Sequence, residues 1–267
     1  MKNDILNKLI KENVIILKYK NKGEFKMECK EVCLEAIDEK ILCSEYFNKV
    51  ENREANAEIA CHRLYDLYYI IVGAQQSISK AEDKNIDISE WDCNEDENLK
   101  NSLRIFFRGE YIKHAILNFN SISDYTLQIV WSILGLYEEN TDNIDDERKR
   151  KHLEDKMKNV KWERLKSEIK LENQALYDLM DDYYKNTRKL RCSYANIIKH
   201  NYNFRWRGIP KSTTIGVSSL KYIEPMLEDV DDVVTYCKEV NTIAVKYIHD
   251  IYNFVAEKYG LTKINQF

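Results

Sequence analysis

The amino-acid sequence predicts an all-α protein: a bundle of about five long helices (residues 51–267) that follows a small N-terminal extension (residues 1–50). Only seven glycines and two prolines occur in 267 residues, so few positions favour a turn or interrupt a helix. Four long segments also place apolar residues at helical spacing. Because each segment has an apolar face to bury, we expect the helices to pack together as a bundle.

The N-terminal extension has two interpretations. Val14 to Tyr19 and Glu24 to Cys29 alternate partly in polarity around an Asn21-Lys22-Gly23 turn, which indicates a short β-hairpin. The alternative is a pair of helices, Met1 to Lys11 and Glu28 to Leu42, joined by a loop, because an isolated hairpin needs a surface to pack against.

The first half of the bundle contains two apolar-rich segments. Asn52 to about Lys80 has helical apolar spacing, and the acidic segment Ala81 to Glu97 that follows it is predicted to be a loop. Leu99 to Tyr137 predicts one broken helix or two consecutive helices, in which Gly109 marks a kink and Gly135 a C-cap.

The second half begins with a helix near Asn143, where acidic residues favour the first turn. A further helix is predicted from about Asn173 to His200, because apolar residues recur there every three or four positions. Residues 209–223 are rich in Ser, Thr, Gly and Pro and predict a loop. An almost unbroken apolar stripe then predicts a last helix from Pro225 to about Tyr259.

The overall charge excludes a general attraction to nucleic acid. The formal net charge is −4, so RNA binding would depend on a local basic patch. Seven cysteines occur without a Cys-x-x-Cys pair, which indicates reduced thiols and no zinc site. With no secretory leader and no apolar run long enough to cross a membrane, we expect a cytoplasmic protein with no membrane partner.

The segment Thr187 to Gly208, TRKLRCSYANIIKHNYNFRWRG, concentrates basic, aromatic and imidazole groups at the end of the Asn173 helix. One interpretation is structural, because cations stabilise the C-terminal end of a helix through its dipole. The other is a site for RNA, because guanidinium groups bind phosphate and imidazole exchanges protons near neutral pH. The candidate substrate-binding residues are Arg188, Lys199, Arg205 and Arg207.

Helical geometry places some of these residues together. At about 100° per residue, Arg188, Asn196 and His200 fall on one drifting row, with Arg191 nearer the other flank. In a straight helix, Arg191 and His200 are nine residues apart and therefore about 180° apart around the axis. One chain does not easily aim both at one phosphate, so we expect a homodimer in which two copies of the segment meet.

The run ANIIKH, from Ala195 to His200, together with its basic and aromatic tail, resembles the C-terminal half of the HEPN superfamily over about twenty residues. The resemblance implies an all-helical bundle that is often dimeric. Active members of that family are ribonucleases that need no metal, with Arg and His meeting at the dimer cleft. His200 and Asn196 match the family motif.

On this resemblance we expect a HEPN-like, metal-independent endoribonuclease without a cofactor, acting in defence or toxin–antitoxin regulation. His200 would move a proton, Asn196 would orient the imidazole or the phosphate, and Arg191 would stabilise the charged phosphorane. The expected partners are RNA or a nucleotide, a second copy of the chain and an antitoxin.

The motif departs from the family pattern at its arginine. Eight residues separate Arg191 from His200, more than the family spacing, and Ala195 stands directly before Asn196. The alternatives are therefore a non-catalytic module that binds RNA or a nucleotide, or a protein-interaction module. In the binding module, bases would stack on the aromatic residues of the segment, Tyr194, Tyr202, Phe204 and Trp206. A Trp206 buried in the core would instead stabilise the fold.

Overall fold

The computed structural model of the protein describes residues 34, 37, 38, 41, 55–89, 91, 96–136, 146–200, 204–209 and 226–264. All of them belong to one compact unit, Val32–Phe267. The hairpin expected between Val14 and Cys29 lies outside the described residues, and so does the loop expected over residues 210–223.

The described chain is predominantly helical, which confirms the predicted all-α class. The α-helices are α1 Ala55–Glu82, α2 Glu97–Leu134, α3 Asp146–Met157, α4 Trp162–Glu172, α5 Gln174–Asn186, α6 Asn196–His200 and α7 Val230–Tyr259, and a π-helix, Lys189–Ala195, lies between α5 and α6. Two three-residue strands, β1 Phe204–Trp206 and β2 Met226–Glu228, pair in parallel.

Polar caps and glycines account for the helix ends. The side chain of Asp96 accepts hydrogen bonds from two backbone N–H groups of the first turn of α2, and Asp229 and Asn173 cap α7 and α5 in the same way. Gly135 and Gly260 end α2 and α7 in the left-handed conformation, each with a φ of 66°. Gly135 is thus the C-cap that the sequence predicted.

Helix α2 runs unbroken for 38 residues, from Glu97 to Leu134, and passes through Gly109 without ending. The expected break into two helices does not occur. Helix α1 likewise continues to Glu82, two residues beyond the predicted end at Lys80.

Helices α1 and α2 pack antiparallel. At one end, Nε of Arg108 in α2 donates to the carbonyl oxygen of Ala81 in α1 at 2.6 Å. At the other end, Oγ of Ser132 donates to the carbonyl oxygen of Asn56 at 2.8 Å. These two bonds connect the two ends of α1 with residues 108 and 132 of α2.

Helix α7 lies parallel to α2. Arg108 near the start of α2 pairs with Asp231 in the first turn of α7, and Lys258 near the end of α7 donates to the carbonyl oxygen of Ile133. Midway, the Tyr247 hydroxyl lies 3.1 Å from Oγ1 of Thr126. The three longest helices thus form the centre of the bundle.

Helix α5 covers this centre with tyrosine side chains. The rings of Tyr183 in α5 and Tyr247 in α7 stack with centroids 3.9 Å apart, and both residues are buried. Burial raises the pKa of both hydroxyls well above the usual range, so they remain neutral. Burying a large side chain contributes about 1.5–3 kcal/mol, which makes this pair a major contact between α5 and the core.

Part of the predicted N-terminal extension also contacts the bundle. Ile41 is 5% exposed and belongs to the core, and the backbone N–H of Asp38 donates to Nε2 of His249 in α7 at 3.2 Å. Within the described part of the chain, no helix has both the length and the apolar composition needed to cross a membrane.

The ion pairs at the start of α7 predict a stability that depends on pH. Asp231 accepts from buried Arg108 and from Lys84, the latter at 2.8 Å. Burial alone would raise the pKa of Asp231, but these hydrogen bonds and charges outweigh it and hold the pKa below its ordinary value of 3.8. The stabilisation is therefore complete above about pH 4 and is lost as the pH falls through the folded-state pKa.

We expect Asp231→Asn to lower the free energy of unfolding at pH 7 by about 1–2 kcal/mol, a value discounted because half of the Asp231 side chain is exposed. Urea denaturation of both proteins between pH 7 and acid pH would show the difference narrowing as the pH falls. Asp232→Asn is the matched control, because exposed Asp232 lies in the same first turn. A difference that stays constant with pH would contradict the assigned role of Asp231.

Candidate functional site

The helical stretch that carries the candidate residues changes its geometry at Thr187. Both the hydroxyl and the backbone N–H of Thr187 donate to the carbonyl oxygen of Tyr183, at 2.8 and 3.0 Å. A threonine that bonds back to its own helix competes with the backbone ladder, and here the chain continues as the π-helix before α6 begins. The uniform helix predicted from Asn173 to His200 is therefore wrong in its second half.

The π-helix changes the angle between Arg191 and His200. Its backbone bonds span one more residue than those of an α-helix, so each residue turns less around the axis. Four of the nine steps from Arg191 to His200 lie within the π-helix. The separation of about 180° calculated for a straight helix is thus an overestimate, and the straight-helix reason for expecting a dimer is weaker.

Arg191 is held by its own helix. Its Nη2 donates to the carbonyl oxygen of Tyr184 at 2.6 Å, and its Nε donates to Oγ1 of Thr187 at 3.2 Å. The guanidinium also lies over the Tyr184 ring, 4.3 Å from the centroid. These contacts fix a half-buried cation at the junction of α5 and the π-helix.

Tyr184 anchors this junction to two other helices. Its hydroxyl donates to the carbonyl oxygen of Ser123 in α2 at 3.1 Å, and its ring stacks on Trp162 of α4 with centroids 4.7 Å apart. Burial raises the pKa of Tyr184 far above its usual range, so the hydroxyl stays protonated. The position of Arg191 is consequently determined by contacts with the core.

Asp124 of α2 is a site residue that sequence reasoning missed. Desolvation raises the pKa of its carboxyl even though Asp124 is an exposed residue, and the positive charges of Lys199 and Arg191 act in the opposite direction. Lys199 and Arg191 are thus close enough to Asp124 for their charges to act on it. We call Asp124, Arg191 and Lys199 the Asp124 cluster.

The Asp124 cluster adjoins the predicted catalytic turn. Asn196 and His200 occupy the first and last positions of α6, one helical turn apart, and Lys199 precedes His200. Asn196 and Lys199 are exposed, while the side chain of His200 lies outside the described residues. The fold thus joins a carboxyl from α2 to the segment that the sequence singled out.

The structure separates the remaining candidate cations into two places. Lys199 belongs to the Asp124 cluster and Arg188 lies one helical turn before Arg191, whereas Arg205 and Arg207 lie on either side of Trp206, and all four are exposed. Trp206 packs at the level of Gly109, which is fifteen residues, or about 22 Å, from Asp124 along α2. None of the four forms an ion pair with another described residue.

Two aromatic residues proposed for base stacking belong to the core instead. Tyr194 is 1% exposed and lies against Tyr236 of α7, and Trp206 is 2% exposed. The stacking role expected for them is therefore wrong, because neither ring is accessible to a base. Tyr202 and the side chain of Phe204 lie outside the described residues.

The described residues offer no metal centre. No three His, Cys, Asp or Glu side chains among them converge in a way that could hold a metal ion. In the same part of the chain, Cys61, Cys192 and Cys237 carry free thiols, and Cys61 and Cys237 are buried.

The resemblance to HEPN proteins is not tested by comparison with known proteins. That resemblance rests on Thr187 to Gly208, with Asn196 and His200 at its centre. Comparisons of the chain with protein-family models, with curated proteins and with solved structures each give no match.

Proposed function

We propose that this chain is a HEPN-like endoribonuclease that cleaves RNA without a metal. The observation that supports the proposal is the Asp124 cluster: the charges of Lys199 and Arg191 act on the carboxyl of Asp124, and Lys199 belongs to the same short helix as Asn196 and His200. Acid–base groups next to cations are what phosphodiester cleavage requires. The resemblance to HEPN proteins points to the same residues, and it also suggests a role in defence or toxin–antitoxin regulation.

In this mechanism the RNA supplies its own nucleophile. The 2′-oxygen attacks the adjacent phosphorus, the bond from phosphorus to the 5′-oxygen breaks, and the products are a 2′,3′-cyclic phosphate and a 5′-hydroxyl. His200 accepts the 2′-hydroxyl proton or donates one to the leaving 5′-oxygen, and Asn196 orients the phosphate. Lys199 stabilises the negative charge of the phosphorane, and its charge also acts on the carboxyl of Asp124.

The exposed arginines suggest how a substrate lies on the surface. Arg205 and Arg207 are about 22 Å from the level of Asp124 along α2, farther than one phosphate group can reach. A single strand that runs from the Asp124 cluster towards β1 would meet cations at both ends. We infer that single-stranded RNA of several nucleotides is the substrate.

Incubation of the purified protein with labelled single-stranded RNA in the presence of a chelator tests the proposal. We expect undiminished cleavage and products that end in cyclic phosphate, because no step needs a metal. A matched RNA with one 2′-deoxy sugar at the cleaved position should remain intact there. Products with 5′-phosphate ends, or cleavage that the chelator abolishes, would disprove this mechanism.

Binding without cleavage is the second candidate, and two observations favour it. Ala195, the position where the family arginine would stand, is 1% exposed and faces the core. The guanidinium of Arg191 is bonded to its own helix. A module of this kind would bind RNA through exposed cations, with an affinity that falls steeply as salt rises and with no products formed.

A second copy of the chain would bring further guanidinium groups to the site. In the proposed dimer, two α6 segments face each other across a two-fold axis, so that an arginine of one copy reaches the phosphate held by the other. The resemblance to dimeric HEPN proteins supports this arrangement, and an antitoxin that covers the same cleft would block it.

A further inference from the structure

A pocket of about 240 Å³ lies away from the Asp124 cluster, between the end of α2, the end of α3 and the start of α4. Its apolar wall includes Trp131 and Leu165, both nearly buried. Its polar wall includes Lys156, Lys161 and Arg164, with Glu168 beside them. An apolar wall that faces a few convergent polar groups is typical of a small-molecule site.

The charge of this pocket is unbalanced. Lys161 and Arg164 contribute two positive charges to the lining and Glu168 contributes one negative charge, so these three residues leave the lining net positive. No described residue forms an ion pair with Lys161 or Arg164, and both are exposed. Like charges that converge on one concave surface repel each other unless an anion lies between them.

Nearby carboxylates are paired with other lysines. Asp155 accepts a hydrogen bond from Lys158 at 2.8 Å, and Glu163 accepts one from Lys166. Both pairs lie within single helical turns beside the pocket. Asp155 and Glu163 are therefore already paired and do not neutralise Lys161 and Arg164.

The start of α4 adds to the preference for an anion. Lys161 is the N-cap of this 11-residue helix, and it makes no side-chain hydrogen bond to the first turn. The first N–H groups of a helix carry partial positive charge and bind anions when no side chain caps them. The side-chain cations and the partial positive charge at the start of α4 therefore both favour an anion in this pocket.

We propose that this pocket binds a small organic phosphate, with the phosphate held by Lys161, Arg164 and the start of α4. Arg164 suits the phosphate because a guanidinium can donate two parallel hydrogen bonds. The organic part would lie on the apolar wall at Trp131. At about 240 Å³, the pocket is smaller than those of drug-sized ligands, which indicates a compact molecule with a single phosphate group.

Calorimetric titration with phenyl phosphate tests this proposal, because that probe joins a phosphate to a compact apolar ring. We expect saturable binding at one site in the millimolar range or tighter, weaker binding of inorganic phosphate, and no binding of uncharged phenol. Arg164→Ala and Lys161→Ala should each weaken binding about tenfold, since each removes charged hydrogen bonds. Lys158→Ala removes the same charge outside the pocket and should leave affinity unchanged.

Several outcomes would overturn the proposal. One is the absence of saturable phenyl phosphate binding to the wild-type protein, and another is an equal loss of affinity in Lys158→Ala and Arg164→Ala. A short RNA oligonucleotide serves as a second probe. If Arg164→Ala weakens RNA binding while phenyl phosphate does not bind at all, the pocket is part of the RNA surface and the proposal is wrong.

Discussion

Replacement of His200 by alanine should lower the rate of RNA cleavage by about 10²- to 10⁴-fold, the usual contribution of a general acid–base group. His200 ends α6 directly after Lys199, the residue that we propose neutralises the phosphorane. Single-turnover cleavage of labelled RNA measures the effect. RNA affinity should change little, because proton transfer contributes to the transition state rather than to binding.

His114→Ala is the matched control for this substitution. His114 also follows a lysine, and it is exposed on α2, ten residues from Asp124. We expect it to cleave at the wild-type rate. Equal rates for wild type and His200→Ala would remove His200 from the mechanism, and salt-sensitive RNA binding without products from either protein would establish the binding-only alternative.

Mixed dimers distinguish a shared site from one contained in a single chain. If an arginine of one copy acts with the histidine of the other, mixing His200→Ala with Arg191→Ala subunits should restore part of the activity, since half of the sites in a mixed dimer retain both groups. Sedimentation equilibrium gives the oligomeric state of the same samples. A strict monomer that cleaves RNA would contradict the shared site.

The long helices could be predicted because a helix that buries one face has apolar residues at every third or fourth position. The stripe from Met226 to Val255 predicted α7, and the scarcity of glycine and proline predicted long elements. The same reasoning failed at Gly109, interpreted as a kink. That glycine makes room for Trp206, which lies almost a hundred residues later in the sequence. The spacing of apolar residues within one helix gives no information about a contact between such distant residues.

The candidate site was predicted less completely, for two physical reasons. The assumption of 100° per residue cannot anticipate a π-helix, which here accompanies a hydroxyl of Thr187 that bonds back to Tyr183. Asp124 was missed because it lies far from the basic segment in the sequence. The sequence does contain one signal for it, because Asp124 is the single charged residue between Phe119 and Leu136.

Replacement of Gly109 by alanine should destabilise the protein by about 2–4 kcal/mol, although the same change in a helix normally stabilises it by about 1 kcal/mol. A Cβ at Gly109 would lie 1.8 Å from Nε1 of Trp206, far inside any permitted contact. The Trp206 ring is buried and its backbone pairs with Glu228 in the parallel sheet, so it cannot move without disturbing β1. Urea denaturation measures the loss.

Two comparisons assign this loss to the contact between Gly109 and Trp206. Gly73→Ala is the control, because a Cβ there would meet only the end of the Asn118 side chain, at 3.2 Å, and should change stability by at most about 1 kcal/mol. In a Trp206→Ala background the clash is absent, so Gly109→Ala should become neutral or stabilising. An equal loss of stability in both backgrounds would show that the destabilisation comes from α2 and not from the clash with Trp206.

If the clash is the cause, Gly109→Ala should also weaken RNA binding near Arg205 and Arg207, because Trp206 holds the strand that carries them.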